Sequence, residues 1–220
     1  MLALSWNLYH GRARNPVRRS LLDDFSAALD GWEWDVAILQ EVPPWWPAVL
    51  GQRCGASARW VLTSRNFGLA VRRRVSERDP ERLKANGGGC NAILVRGAVH
   101  GHRVVRLTWW PERRWAHAVT VDSGLTVVNL HASTHRDAWA ARDVARAAAA
   151  WSGVSPLLLG GDLNLRRPAL DGMTWLGGNH VDHFFGRGVE PLGPAEVLDR
   201  GELSDHPPIR VSLVARTPAA

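Results

Sequence analysis

Apolar residues recur along this chain in short runs, several of which break off into carboxylate, amide or imidazole side chains. Leu2 to Leu8 reads as a strand with Asn7 near its end. Asp35 to Gln40 is a continuous apolar run, the pattern of a buried strand, and Glu41 follows it. Between them, Pro16 to Leu29 sets Val17, Leu21, Leu22, Phe25, Ala28 and Leu29 at helical spacing, and Asp30-Gly31 closes that helix. Pro44 to Leu50 predicts a short helix with Trp45 and Trp46 in its first turn, and Arg59 to Thr63 another strand. Arg72 to Gly89 is charged and then glycine-rich, which predicts a mobile loop before strand character resumes over Asn91 to Val95. His102 to Thr108, Trp115 to Val121 and Leu125 to Leu130 are further strands. The last two meet at Asp122-Ser123-Gly124, an antiparallel hairpin.

The remainder alternates in the same way. Arg136 to Trp151 is an alanine-rich helix closed by Ser152-Gly153, and Pro156 to Leu159 is a buried strand. A glycine-rich loop leads to His180 to Phe185, and Ile209 to Val214 ends the series. Nine or ten strands against three helices exceed what one helix-covered sheet needs. Hairpins mixed with helical crossovers predict two packed sheets with helices outside them. A chain of 220 residues, 45% hydrophobic and without linker or repeat, forms one core. The expectation is a single domain over 1–220, its last few residues a disordered tail.

Composition narrows the setting without naming a task. The chain opens on a strand rather than a signal segment, and no apolar run approaches the roughly 20 residues of a membrane span. A cytoplasmic monomer with no protein partner is expected. Cys54 and Cys90 are too few for a disulfide framework and lack zinc-ligand spacing, so buried or idle thiols are expected. The net charge of +6 favours a polyanionic partner. Lys84 is the only lysine, however, and the excess of arginine, alanine and glycine has the look of GC-rich coding, which weakens that inference. Arginine is still the better fork for phosphate, and the 12 tryptophans offer ring faces, Trp45-Trp46, Trp109-Trp110 and Trp175 among them.

The chemistry lies in the strand ends. Ser5-Trp6-Asn7, Leu39-Gln40-Glu41, Gly161-Asp162-Leu163-Asn164 and Ser204-Asp205-His206-Pro207 each place a polar group at the tip of an apolar run. Their oxygens suit a hard cation such as Mg²⁺, which keeps positions open for phosphate and water. Metal-assisted phosphoester cleavage is the first reading.

With Val128-Asn129-Leu130-His131 and Val181-Asp182-His183 included, the ordered set resembles the endonuclease/exonuclease/phosphatase superfamily, which includes deoxyribonuclease I, exonuclease III and inositol polyphosphate 5-phosphatases. Each motif alone is weak; six in order from Asn7 to His206 are specific. The resemblance implies a four-layer α/β-sandwich of the α+β class, two packed mixed β-sheets flanked by helices. It also implies a Mg²⁺ or Mn²⁺ cofactor held by Glu41, with Asn7 and Asp205 assisting. Asp162 would activate water, and Asn164, on the same side of an extended segment, would donate to phosphate. His206 would act on the phosphoryl group with Asp182 as its partner, and His131 would contact phosphate or the leaving group. Arg12, Arg96, Arg136 and Arg166 lie close to these motifs in sequence and are candidates for a second phosphate.

Singly, each residue has an ordinary structural role: Asn7, Asp162 and Asp205 as turn caps, Glu41 as a solvated strand end, Asp182 as an arginine partner and His131 as a core histidine. Three readings therefore stand: a nuclease-like phosphodiesterase, a phosphoesterase for a small metabolite or lipid headgroup, and a silent binding protein. The chain is short for the superfamily, which implies trimmed duplex-straddling loops, and basic residues suited to phosphoinositides are missing around Asp205-His206.

Overall fold

The computed structural model describes residues 1–216; the expected C-terminal tail lies outside them. In chain order the elements are β1 (Leu2–Asn7), α1 (Leu22–Gly31), β2 (Val36–Val42), α2 (Pro47–Arg53), β3 (Ser57–Leu62), α3 (Leu69–Arg78), β4 (Cys90–Val95), β5 (Val99–Thr108), β6 (Arg114–Val121), β7 (Thr126–His131), α4 (Asp137–Ala150), β8 (Leu157–Asp162), β9 (Thr174–Asn179), β10 (Asp182–Arg187), β11 (Val189–Pro191), β12 (Glu196–Val197) and β13 (Ile209–Ala215). They form the expected four-layer sandwich. One sheet runs β11-β13-β1-β2-β4-β3, with β12 on β13, and the other runs β5-β6-β7-β8-β10-β9. Each is antiparallel except for one central parallel pair, β1 with β2 and β7 with β8. α1 and α4 supply those two crossovers, because a parallel return needs a connection long enough to cross the sheet.

Three apolar layers hold the sandwich. Trp6, Phe25, Leu29, Trp46 and Leu50 pack α1 and α2 onto the first sheet. Ile38, Ile93, Val127, Leu158 and Phe184 fill the space between the sheets. Ala140, Val144 and Ala147 seat α4 on Leu130, Leu159 and Phe185. The buried strands read as unbroken apolar runs because both of their faces are covered. Cys54 and Cys90 are buried and unpaired, as expected.

The stretch read as a mobile loop is instead α3 followed by two short 3-10 turns, Pro80–Arg82 and Lys84–Gly87. None of the residues of α3 is buried, so it carries no apolar stripe for a periodicity argument to detect. Its residues are mostly adequate helix formers, and an Arg73–Glu77 pair spans one turn. The first helix begins at Leu22, six positions after Pro16. β9, β11 and β12 are additional strands. Gly177 and Gly178 blur the pattern of β9, and β12 has only two residues.

One polar device crosses between the sheets and sets the position of the next residues. A bulge in β2 between Leu39 and Val42 interrupts its pairing with β4. Asn129 of β7 reaches across to it: its Nδ2 donates to the carbonyls of Leu39 (2.9 Å) and Ala92 (2.8 Å), and its Oδ1 accepts from Gln40 Nε2 (2.9 Å). Asn129→Ala would take this donor from the buried Leu39 and Ala92 carbonyls, while Gln40 Nε2 keeps the Ile38 carbonyl at 3.2 Å. It is expected to cost about 3 kcal/mol, a fall of about 6–12 °C in Tm by thermal melting.

Candidate active site

Five strand ends meet at one edge of the sandwich. Parallel register aligns Asn7 with Gln40 in one sheet and His131 with Asp162 in the other. Antiparallel register sets Asp182 directly opposite Asp162, so two carboxylates share one face. Gly161 lets β8 lie close against β7 just before Asp162. At φ +129 a side chain there is strained, and a Cβ would sit 2.1 Å from the Leu130 carbonyl. Glu41 lies within the bulge at φ 50, Asn164 follows β8 at φ 51, and Tyr9, His10 and Ser204 also have positive φ. Left-handed backbone at so many non-glycine residues is costly and concentrates at sites that must aim side chains.

Asp162 is the centre of the constellation. Its Oδ2 accepts from Asn7 Nδ2 (3.0 Å) and lies 3.4 Å from His131 Nε2 and 3.8 Å from His206 Nε2; its Oδ1 accepts from the Asn164 N–H (3.0 Å). Burial and the charge of Asp182 push its pKa up to about 7, against the opposing pull of His206 and Asn7. His206 Nδ1 donates to Asp182 Oδ2 at 2.8 Å. Burial disfavours the imidazolium, but the bond to Asp182 and the charges of Asp182 and Asp162 more than reverse this and raise its pKa to about 9. At neutral pH His206 is therefore protonated, with Nε2–H directed to the Asp162 side. Its backbone is fixed independently, because His206 N donates to Ser204 Oγ and its carbonyl accepts from Trp6 Nε1.

Glu41 is held between histidines, with Oε2 3.0 Å from His10 Nε2 and Oε1 3.9 Å from His131 Nδ1. Burial works against its charge, yet the charge and hydrogen bond of His10 and the charge of His206 hold its pKa well below the usual carboxylate range. Burial and the charge of Arg114 lower the pKa of His131 as well, which for an imidazole keeps the ring neutral. It bridges Glu41 and Asp162 with one ring nitrogen toward each.

The donor chemistry fits a divalent cation. Asp162 and Asp182 are buried carboxylates with ligand atoms within 4.8 Å of one another beside His206, whose protonated ring donates and does not ligate, and Glu41 is held as a carboxylate on the wall of a cavity. Asp182 Oδ1 is buried and unpartnered among the described residues. An uncapped carboxylate oxygen in a cluster of acids is a hard ligand of the kind Mg²⁺ and Mn²⁺ take.

The sequence profile of the Endonuclease/Exonuclease/phosphatase family matches residues 4–206. The chain belongs to this family. Its members are hydrolases of phosphoester bonds and generally depend on a divalent metal. Solved structures share the fold at low identity. An endonuclease/exonuclease/phosphatase from Beutenbergia cavernae is 17% identical with a TM-score of 0.75, over 98% of this chain and 72% of its own. A mannosyl-6-phosphatase of Bacteroides thetaiotaomicron is 16% identical at 0.66, over 97% and 99%. Truncated TDP2 from Caenorhabditis elegans is 16% identical at 0.65, over 97% of each chain. No curated protein matches this sequence.

Within this family member, not every residue singled out from sequence reaches the cluster. Asn164 is not in an extended segment: the chain turns left-handed there, and its Nδ2 donates to the Ala132 carbonyl at 3.0 Å. Asp205 is exposed at the rim, its carboxylate 4.0 Å from His206 Nε2. Arg12 is buried, stacked on Tyr9 and paired with Glu81 at 3.3 Å, so it ties the 3-10 turn at Pro80 to the loop after β1. Arg136 and Arg166 are exposed on loops following β7 and β8, on the active-site side. Arg96 is at the far end of the sheet, bonded through its N–H to the Asp35 carbonyl and stacked on Trp34. β4 runs antiparallel to β2, so its C-terminal end points away from Glu41. A phosphate held at Arg96 would be remote from the cluster.

Two partners were not singled out from sequence. His10 sits in a 3-10 turn, where no periodicity marks it. Arg114, which no sequence pattern sets apart from the other arginines, is buried and lines a cavity of about 220 Å³ with Glu41, His10 and His131.

Proposed function

We propose that this chain hydrolyses phosphodiester bonds in nucleic acid with the help of Mg²⁺ or Mn²⁺. The single observation that carries the reading is the placement of Asp162 next to a His206–Asp182 pair, with Glu41 across His131. Glu41 and Asn7 are the residues assigned to hold the cation, with Asp205 contributing from the rim. The cation supplies neutralisation of charge on the phosphoryl and leaving oxygens. Asp162, with its pKa near neutrality, accepts the proton of an attacking water, since a general base works best near the operating pH. His206 donates its Nε2–H to a phosphoryl oxygen, strengthening as negative charge develops there, and Asp182 keeps the ring charged and oriented. His131 stays neutral and is placed to contact phosphate.

A second reading, hydrolysis of a small phosphate ester, is supported by the fold likeness to the mannosyl-6-phosphatase. A panel separates the two: single-stranded and duplex DNA, RNA, bis-p-nitrophenyl phosphate and p-nitrophenyl phosphate, each with Mg²⁺, Mn²⁺ or EDTA. The expected result is metal-dependent cleavage of the diesters that EDTA abolishes. Cleavage of the monoester alone would favour the second reading, and turnover undiminished in EDTA would remove the metal from both.

A further inference from the structure

Next to the cavity that Glu41, His10 and His131 line is a larger groove, about 730 Å³, built by the β3–α3 loop and the β5–β6 turn. The two are continuous: Thr63, Ser64, Arg65, Glu112 and Arg113 line both. Polar contacts tie the loops together at the base. Arg65 and Arg114 both grip Glu112, and the Arg113 N–H donates to Ser64 Oγ at 2.7 Å. The outer wall is aromatic. Phe67, Trp109 and Trp110 are 76%, 56% and 80% exposed, although rings of this size usually bury their faces. Cations are set among them. The Arg113 guanidinium lies 4.5 Å from the Trp109 ring and that of Arg106 5.3 Å, and among the described residues neither pairs with a carboxylate.

Exposed rings, Trp110 with no cation over it and Trp109 and Phe67 each with a guanidinium against one side, match a chain that alternates flat bases with phosphates. They match a duplex poorly, because its base faces are already stacked on one another. We propose that this groove binds unpaired bases of a single-stranded nucleic acid flanking the bond to be cleaved. The bases stack on Trp109, Trp110 and Phe67, and Arg106 and Arg113 meet the phosphates. This rests on the phosphodiesterase reading and specifies its substrate as a single strand or a frayed end.

Binding tests it without turnover. The full chain, with metal chelated by EDTA so that nothing is cut, is titrated into a fluorescein-labelled oligothymidylate, an abasic strand of the same length and a duplex. Base stacking on an aromatic predicts that the base-bearing strand binds about tenfold tighter than the abasic one. Trp109→Ala and Trp110→Ala should each erase most of that difference, and Arg113→Gln should weaken both single strands alike. Equal affinity for normal and abasic strands would overturn the proposal, as would tryptophan variants that bind like the parent. So would a preference for anionic phospholipid vesicles over the oligonucleotide. If no diester is hydrolysed in the substrate panel, the reaction reading fails while these affinities still decide the groove. Hydrolysis without base-dependent binding would leave the reaction and remove the groove.

Discussion

Asp162→Ala is expected to lower kcat by roughly 10²- to 10⁴-fold, the usual contribution of a general base, while KM changes little and Tm stays within a few degrees of the parent. A group that acts on the attacking water, not on bound substrate, depresses kcat and kcat/KM together. Stability should survive because Asp162 is not a comfortable residue in the fold. It is buried opposite Asp182, and burial with that neighbouring charge is what lifts its pKa to about 7. Removing it relieves this strain and offsets the loss of the acceptor for Asn7 Nδ2. Asp162→Asn is the sharper variant, since it keeps the shape of the side chain without its basicity and should be equally slow. An Asn variant that turns over at the parental rate with bis-p-nitrophenyl phosphate would remove Asp162 from this role.

His206→Ala should produce a loss of similar size, and its pH dependence carries more information. In the proposed mechanism the imidazolium is the active form, and with a pKa near 9 the parental rate should fall as pH rises through that value. Asp182→Asn keeps a partner at Nδ1 but removes the charge that raises the pKa. The alkaline limb should then move down toward the ordinary imidazole range, with the loss greatest at high pH. His206→Ala should abolish the limb. Thermal melting in EDTA gives a second, activity-free readout. The His206 pKa is raised from 6.5 in the folded protein, so its stabilising contribution is complete below about 6.5 and disappears as pH rises through about 9. The melting difference between parent and His206→Ala should shrink across that window. An unchanged alkaline limb in Asp182→Asn would mean that the Asp182–His206 contact is structural only.

Much of the site is legible in the one-dimensional pattern because these strands end where apolar packing gives way to a buried polar cluster. An apolar run that stops in Asn7, Glu41 or Asp162 marks the point at which polar groups replace apolar ones, and the glycines before Asp162 record close approaches, Gly161 to β7 and Gly160 to β10. The parts that escaped have a common cause. α3 buries no face, so nothing in its composition distinguishes it from a charged loop. His10 acquires its meaning from Glu41, which the parallel register of β1 and β2 brings beside it. Arg96 is adjacent in sequence to a strand that serves the site, but that strand runs the other way.

By itself, the sequence determined the layered architecture, the family and the set of polar groups available, since periodicity, chain length and residue chemistry are local properties. Only the tertiary structure decided which of those groups touch: that Asp182 faces Asp162 and holds His206, that His131 bridges two carboxylates, that Asn129 pins the bulge behind Glu41, and that Arg96 is remote. Strand direction and register set those distances. They are chosen by the packing of whole sheets against each other, a long-range free energy that no short window of residues contains.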